Sequence, residues 1–141
     1  MGTDNLQILV VEDDEVDILT LLRAFKKLGF DRPVVIARDG IEALQIMRGE
    51  HPEKEIASPY VVLADLNMPR MNGLELLAEI RKDPELFATS VFILSTSRHP
   101  TDLTTAHKHN VAGYLRKPLS FDEYQCTVEA LKEYWSLCHF I

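Results

Sequence analysis

Short apolar runs alternate along the chain with longer stretches in which apolar residues recur every three or four positions. The runs predict five strands, at residues 7–11, 33–37, 60–64, 90–94 and 112–115. The first run, QILVV, is apolar at nearly every position. Such a run is typical of a central strand that is buried on both faces of a parallel sheet.

The stretches between and after these runs predict five helices. They cover residues 16–28, 41–47, 74–80, about 101–109 and 121–135. The apolar stripe that we expect to face the core in the first helix consists of Val16, Leu19, Leu22, Phe25 and Leu28. Gly29 ends this helix, Asp83-Pro84 ends the third, and the fourth is polar and weakly patterned.

Helix-start signals support this assignment. The spacing of a capping box occurs at Asp39 with Glu42, at Asn72 with Glu75 and at Ser120 with Glu123. Five β/α units in strict alternation predict an α/β fold, a doubly wound five-stranded parallel sheet with helices on both faces. The polar segment 49–59 is expected to be a variable surface loop.

Composition narrows the classes of protein. The 141 residues suit a single domain, 1–141, and the net charge of −7 argues against nucleic acid as the main partner. No apolar run is long enough to cross a membrane, and the first residues lack the features of a signal peptide. Cys126 and Cys138 lack metal-site spacing. We therefore expect a cytoplasmic protein with reduced thiols and no membrane contact.

Candidate chemistry follows the predicted strands. Function in an open α/β sheet collects at the carboxyl ends of the strands. The polar residues found there are Glu12 and Asp13 after the first strand, Asp65 after the third, Ser95 and Thr96 after the fourth, and Lys117 after the fifth. Packing alone does not explain carboxylates, hydroxyls and a lysine at one edge.

The three carboxylates predict a cation site. Glu12, Asp13 and Asp65 would repel one another unless a cation lay between them. Oxygen ligands favour Mg²⁺, with Mn²⁺ as an alternative, and the lack of His or Cys in these segments disfavours zinc. Lys117 could pair with a carboxylate or a phosphoryl oxygen. This set of groups is suited to phosphoryl transfer to an aspartate, whereas nucleotide-binding loops are absent from the sequence.

Four motifs in order carry a family resemblance. They are VVED at 10–13, LADLNMPRMNG at 63–73, STS at 95–97 and YLRKP at 114–118. Asp65 precedes Ser95 by 30 residues and Lys117 by 52. Over residues 6–136 the chain resembles the receiver domain of two-component response regulators. The resemblance implies the CheY-like (flavodoxin-like) strand order 2-1-3-4-5.

The resemblance also implies roles for the acidic residues. Asp65 matches the aspartate that accepts a phosphoryl group from the histidine of a kinase. Glu12 and Asp13 match the acidic pair that holds Mg²⁺, with Asp13 as the direct ligand and Glu12 acting largely through water. Asn67 matches the position whose backbone carbonyl binds the metal.

Further roles concern the groups around the phosphoryl site. Ser95 matches the hydroxyl that responds to phosphorylation, with Thr96 beside it in the same loop. Lys117 matches the phosphoryl-binding lysine, and Pro118 follows it in what is usually a cis bond. Tyr114 matches an aromatic switch residue, although ordinary packing of this ring would explain it as well.

Two other classes of protein share parts of this chemistry. A phosphatase of the haloacid dehalogenase type would need an acid two residues after Asp65, where this chain has Asn67. A pseudo-receiver scaffold would lack some of the groups needed for phosphorylation, which are all present here. The sequence therefore favours a phospho-acceptor switch over an enzyme with turnover.

The C-terminal residues bear on partners. Only 24 residues follow Lys117, which leaves no room for an effector domain, so we expect output through a downstream protein or a phosphotransfer partner. The tail carries the apolar residues Tyr134, Trp135, Leu137, Phe140 and Ile141. It is similar to the tails of single-domain regulators paired with phytochromes, which implies a sensor histidine kinase as partner, with a bacterial phytochrome as one candidate. The tail either forms a homodimer surface with the last strand and helix or folds back on its own domain.

Overall fold

The computed structural model describes residues 5–140, and the five predicted strands all form within that range. They are β1 (Gln7–Val11), β2 (Val34–Ala37), β3 (Tyr60–Asp65), β4 (Val91–Ser95) and β5 (Gly113–Arg116). Each bound agrees with the apolar run that predicted it to within one residue. The apolar runs therefore located the sheet correctly.

Five helices connect and follow the strands, as the periodic stretches predict. They are α1 (Glu15–Lys27), α2 (Gly40–Met47), α3 (Gly73–Lys82), α4 (Pro100–Lys108) and α5 (Phe121–Ser136). Within residues 5–140, none of these helices has the length and apolar character needed to cross a membrane.

The strands form one parallel sheet in the order β2-β1-β3-β4-β5, which confirms the predicted topology. The order reverses between β1 and β3, so a crevice opens at their carboxyl ends. The register pairs Val11 with Ala64 and Asp65 with Leu94. Because Glu12 directly follows Val11, its side chain lies next to that of Asp65 at this crevice.

Both faces of the sheet are covered, because successive strand residues point to opposite sides. Leu9 and Val11 of β1 pack in the core that includes residues of α2 and α3. Ile8 and Val10 pack in the other core, with residues of α1 and α5. In α4, by contrast, Ala106 alone is buried, in keeping with its polar pattern.

The stripe predicted for α1 is wrong in part. Val16 and Leu19 are 69% and 53% exposed, whereas the buried residues of this helix are Ile18, Leu21, Ala24 and Phe25. The helix carries apolar residues on more than one side, so periodicity alone does not identify the face that meets the sheet. Val16 and Leu19 are instead left on the surface.

The helix starts follow the predicted capping positions, but only one of the three capping boxes is complete. Asn72 and Glu75 form a complete box at the start of α3. At the starts of α2 and α5, Asp39 and Ser120 accept the backbone N–H groups of Glu42 and Glu123. The two glutamate carboxylates, however, accept the backbone N–H of the residue before the cap, Arg38 or Leu119, instead of that of the cap itself.

The segment 49–59 is more firmly attached than a variable surface loop would be. The His51 ring is largely buried and lies 3.0 Å from Glu42, and its Nδ1 accepts the backbone N–H of Lys54 at 2.9 Å. The Lys54 ammonium donates to the carbonyl of Ile36 at 2.7 Å. These bonds connect the segment to α2 and β2.

Candidate functional site

The three predicted carboxylates converge at the crevice between β1 and β3. One ligand oxygen from each of Glu12, Asp13 and Asp65 lies within 4.8 Å of the others. Glu12 and Asp65 are only 5% and 6% exposed, whereas Asp13 is exposed. Two buried acids beside a solvent-facing one make a site that solutes can reach from one side.

Lys117 contacts two acids of this cluster and one further acid. Its ammonium nitrogen is 3.1 Å from Asp65 Oδ2, 3.0 Å from Glu12 Oε1 and 2.9 Å from Asp17 Oδ2. The backbone N–H of Lys117 donates to the carbonyl of Ser95 at 2.9 Å, which fixes the start of this segment against β4. The structure thus brings together the four residues predicted to carry the chemistry.

Asp17 is a member of the site that sequence reasoning missed. It lies four residues before Leu21, which is buried, and therefore on the inward side of α1. A signal was present, since an acid on the buried face of a helix is costly without a partner. The stripe chosen for α1 pointed elsewhere and concealed it.

The electrostatics of the cluster reflect burial and crowding of negative charge. Burial, and then the charge of Asp65, raise the pKa of Glu12 to about 7. Burial also raises the pKa of Asp65, although the ammonium of Lys117 opposes this shift. Burial by itself would lower the pKa of Lys117, but its hydrogen bonds to Asp17 and Glu12 more than compensate and hold it above its usual range. One ammonium therefore does not neutralise the site.

The donor set fits a hard divalent cation. The side-chain ligand atoms of the cluster are carboxylate oxygens, which Mg²⁺ and Mn²⁺ accept. Glu12 Oε2 accepts the backbone N–H groups of Asp13 and Asp14, both at 3.1 Å, while Oε1 faces Lys117. Because both oxygens of Glu12 are occupied, an indirect role through water suits this residue. The exposed carboxylate of Asp13 suits direct ligation, and the metal-binding role of the Asn67 carbonyl stays a prediction.

Ser95 ends β4 beside the cluster and is buried. Its hydroxyl oxygen accepts the backbone N–H of Ser97 at 2.8 Å. Ser95, Thr96 and Tyr114 line a small cavity of about 180 Å³. Thr96 is exposed in the loop that follows β4, as its position predicts.

Tyr114 contacts this same loop. The ring is half-buried against the core, and its hydroxyl donates to the carbonyl of Ser97 at 3.1 Å. Tyr114 thus has both the packing that a core aromatic needs and a bond to the loop that a switch residue needs. The switch role stays a prediction.

The expected cis bond before Pro118 is wrong for this structure. Within residues 5–140 the cis peptide bond lies between Ser58 and Pro59. Lys117 continues the backbone pairing of β5 with β4, and from this position its ammonium reaches the carboxylates without a cis bond. Pro118 itself is buried.

The C-terminal apolar residues do not form one surface. Trp135 is completely buried and packs edge-on against Phe92, with ring centroids 5.8 Å apart. Phe140 packs partly against the same core. Tyr134 and Leu137 are exposed, the latter by 81%, and Ile141 lies outside the described residues. The tail therefore closes its own domain in part and leaves a smaller exposed patch than the sequence predicts.

Comparison with known proteins gives relatives of similar length. The chain is 40% identical over 132 residues to the probable methanogenesis regulatory protein FilR2 of Methanothrix harundinacea, covering 94% of this chain and 84% of the relative. It is 30% identical over 128 residues to the response regulator Rcp1 of Synechocystis, covering 91% and 87% of the two chains.

Solved structures agree with these relatives. The phosphorylated cyanobacterial phytochrome response regulator RcpA superimposes with a TM-score of 0.86 at 31% identity, over 96% of this chain and 98% of that chain. The Mn²⁺-bound form of Rcp1 gives a TM-score of 0.84 at 28% identity, over the same shares of the two chains.

The family comparison covers most of the sheet and helices. Residues 8–129 match the model of the response regulator receiver domain. This range includes the acidic cluster, Ser95 and Lys117, in the fold and at the strand ends described above. The chain belongs to the response regulator receiver domain family of two-component signalling systems.

Proposed function

We propose that the chain is a phosphorylation switch that accepts a phosphoryl group on Asp65 from a phosphohistidine of a sensor histidine kinase. The observation that carries this proposal is the position of Asp65. Its carboxylate is buried at the end of β3, beside two further acids and 3.1 Å from the Lys117 ammonium. A nucleophile with an adjacent cation is what phosphoryl transfer requires.

The transfer itself makes one bond and breaks one. An oxygen of the Asp65 carboxylate attacks phosphorus, the bond from phosphorus to the histidine nitrogen breaks, and the imidazole leaves with the electron pair. Lys117 then pairs with a phosphoryl oxygen. Ser95, whose hydroxyl lies at the end of the neighbouring strand, donates to another phosphoryl oxygen and carries the change into the loop after β4.

Receiver domains bind a divalent metal ion, and the acidic cluster here has the ligands for one. We propose Mg²⁺ as the physiological ion, with Mn²⁺ as an alternative, held by Asp13 and Asp65 and, through water, by Glu12. When bound, the ion neutralises the phosphoryl oxygens and the crowded carboxylates. The residues of the chain supply the nucleophile, the ammonium and the hydroxyl.

The site supports a switch rather than an enzyme with turnover. A hydrolase of related chemistry would need a general acid or base beside the acyl phosphate. The residue two positions after Asp65 is Asn67, an exposed amide that does not titrate. The phosphoryl group should therefore persist long enough to signal.

The exposed apolar residues near the site favour a kinase as the donor. Val16 and Leu19 lie on α1 around Asp17, and Leu119 follows Lys117 by two residues. These exposed side chains neighbour Asp17 and Lys117 in sequence and offer apolar surface that a partner could cover. RcpA is described as a phytochrome response regulator, which favours a phytochrome-type kinase as the partner of this chain as well. The free cysteines Cys126 and Cys138 suit the reducing cytoplasm.

Incubation with acetyl phosphate and Mg²⁺, followed by intact-mass measurement, tests the proposal. We expect one labile phosphoryl group per chain and none when the metal is chelated. A chain that gains no mass would contradict the switch and favour a scaffold. Continuous release of phosphate without accumulation of the phosphorylated chain would favour a phosphatase.

We propose further that the phosphorylated chain signals by forming a homodimer. A groove of about 820 Å³ runs along β5 and α5, lined by Leu115, Cys126, Ala130 and Tyr134 among others. A second copy of the chain could cover this groove together with exposed Leu137.

Sedimentation of Leu137→Asp tests the dimer, with and without acetyl phosphate. Phe87→Asp is the matched control, since Phe87 is an exposed apolar residue that does not line this groove. Wild type and control should dimerise more when phosphorylated, and Leu137→Asp should not. A wild type that stays monomeric at tens of micromolar would contradict the dimer. Truncation after Tyr134 is unsuitable, because it would remove the buried Trp135.

A further inference from the structure

The Lys117 ammonium is surrounded by carboxylates. An ammonium group has three N–H donors. Three carboxylates, from Glu12, Asp17 and Asp65, lie between 2.9 and 3.1 Å from its nitrogen. They approach from three different segments: the end of β1, the first turn of α1 and the end of β3. The ammonium is therefore held from three sides.

Asp17 differs from the other two acids in having no place in the metal cluster. The group of acids within the described chain whose oxygens could share one ion consists of Glu12, Asp13 and Asp65. Asp17 contacts the ammonium instead, and its side chain is 24% exposed. Burial, and then the charge of Asp17, raise the pKa of Tyr124 on α5 above its usual range. The contact of Asp17 with Lys117 therefore joins α1 to the segment after β5.

A local role in α1 does not account for this arrangement. An acid in the first turn of a helix stabilises the helix dipole. Glu15, in the same turn, can do so from the surface, where it pairs with Arg38. A second acid that only stabilised the helix dipole could also lie on the surface. Asp17 instead contacts the ammonium of Lys117, which is largely buried.

We propose that Asp17 is a positioning residue for phosphoryl transfer, one that holds the Lys117 ammonium in reach of the phosphoryl group on Asp65. This inference rests on the proposed function. In the transfer, an oxygen of Asp65 attacks phosphorus and the leaving group departs with the electron pair of the broken bond. One donor of Lys117 turns from Asp65 to a phosphoryl oxygen, while Asp17 and Glu12 hold the other two donors in place.

Removing Asp17 frees one side of the ammonium. Lys117 keeps its attachment to Glu12 but can then turn away from Asp65, so fewer molecules have the cation in place when phosphorus is attacked. The substitution should lower the maximum rate of transfer. It should leave unchanged the phosphodonor concentration at which half of that maximum rate is reached. A carboxamide at position 17 still offers an oxygen and should recover part of the rate.

The test is phosphorylation by acetyl phosphate at saturating Mg²⁺, followed by intact mass, in wild type, Asp17→Ala and Asp17→Asn. Glu15→Ala is the matched control, because it removes the same charge from the same helical turn at an exposed position. We expect Asp17→Ala to lower the maximum rate roughly three- to tenfold, Asp17→Asn to lower it less, and Glu15→Ala to change it by less than about twofold. Circular dichroism of each variant establishes that it is folded.

A second comparison separates positioning from a general effect on folding. In a Lys117→Ala background, Asp17→Ala should cause no further loss, because the group that Asp17 holds is gone. A full additional loss there would overturn the inference, as would equal rates for Asp17→Ala and Glu15→Ala. If wild type itself takes up no phosphoryl group, the proposed function fails and this inference with it. A normal wild type with an unaffected Asp17→Ala contradicts the inference alone.

Discussion

Two cations lie at opposite ends of the sheet, and the groups around them differ. Lys117, at the carboxyl ends of the strands, faces three side-chain carboxylates. Arg81, at the end of α3, donates to four backbone carbonyls that precede β4 and β5, at 2.7 to 2.9 Å. Each cation connects several segments of the chain, so connectivity alone does not distinguish a functional site from a structural one.

The crowding of like charges does distinguish them. Arg81 contacts only neutral carbonyl groups, so no like charges repel one another around it. Around Lys117, by contrast, several carboxylates share one ammonium, and burial and then the charge of Asp65 raise the pKa of Glu12. A cluster of crowded carboxylates can be neutralised by a metal ion, whereas the Arg81 site only holds segments together.

The largest expected difference between the two regions is in phosphorylation. Asp65→Ala removes the nucleophile and should abolish uptake of a phosphoryl group from acetyl phosphate. Arg81→Ala leaves the carboxylates and Lys117 in place and should still gain one phosphoryl group per chain. Intact mass measures both. Undiminished phosphorylation of Asp65→Ala would place the acceptor elsewhere.

For the free energy of unfolding, we expect a larger effect from substitution of Arg81 than from substitution of Asp65. Arg81→Ala leaves four backbone carbonyls without their donor, two of them in partly buried hydrogen bonds, and should lower the free energy of unfolding by about 2–4 kcal/mol. Asp65→Asn removes negative charge from a crowded cluster and should leave the metal-free protein as stable as wild type or more so. Urea denaturation without metal measures both changes. A larger loss for Asp65→Asn than for Arg81→Ala would contradict the assignment of excess charge to the carboxyl end.

The pH dependence of stability should come from the carboxylate cluster. The folded protein raises the pKa of Glu12 from 4.5 to about 7, so the folded state binds this proton more tightly than the unfolded state. Metal-free stability should therefore fall as pH rises from about 4.5 to 7, by roughly 1–3 kcal/mol. Glu12→Gln, which does not titrate, should show a smaller fall, and Arg81→Ala should keep the wild-type slope. Equal slopes for wild type and Glu12→Gln would contradict this source of the pH dependence.

The smallest expected effect is that of Mg²⁺ on unfolding. An ion that binds only the folded state at about ten times its dissociation constant adds roughly 1.4 kcal/mol. Wild type and Arg81→Ala should gain this stability, whereas Asp13→Asn, which lacks the exposed carboxylate of the cluster, should gain less. Thermal unfolding with and without Mg²⁺ measures it. The same gain in Asp13→Asn as in wild type would remove Asp13 from the metal site.

Residues that follow a strand were the most predictable part of the site. A short apolar run identifies a strand, and parallel strands bring the residues after them to one edge. This is why the sequence alone predicts that Glu12, Asp65, Ser95 and Lys117 meet at one edge of the sheet. Their side chains meet because the strands are neighbours in the sheet and pair in a register that aligns their ends.

Residues on helices were less predictable. α1 has apolar residues on several sides, so its pattern suits more than one orientation, and the stripe with Val16 and Leu19 proved to be exposed. The orientation adopted turns Asp17 inward to Lys117. In α5 the sequence placed Trp135 beside Leu137, yet packing against Phe92 buries the first and leaves the second in solvent.

The amino-acid sequence by itself determined the α/β alternation, the ends of the strands and the residue types that gather at one edge, because these follow from local periodicity and from the geometry of parallel sheets. Tertiary structure alone decided how each helix is rotated and which groups share a proton or a cation. Asp17 joined the site and segment 49–59 became attached through His51 by contacts between parts of the chain that are distant in sequence. Such contacts depend on where whole elements pack, and no local pattern encodes that position.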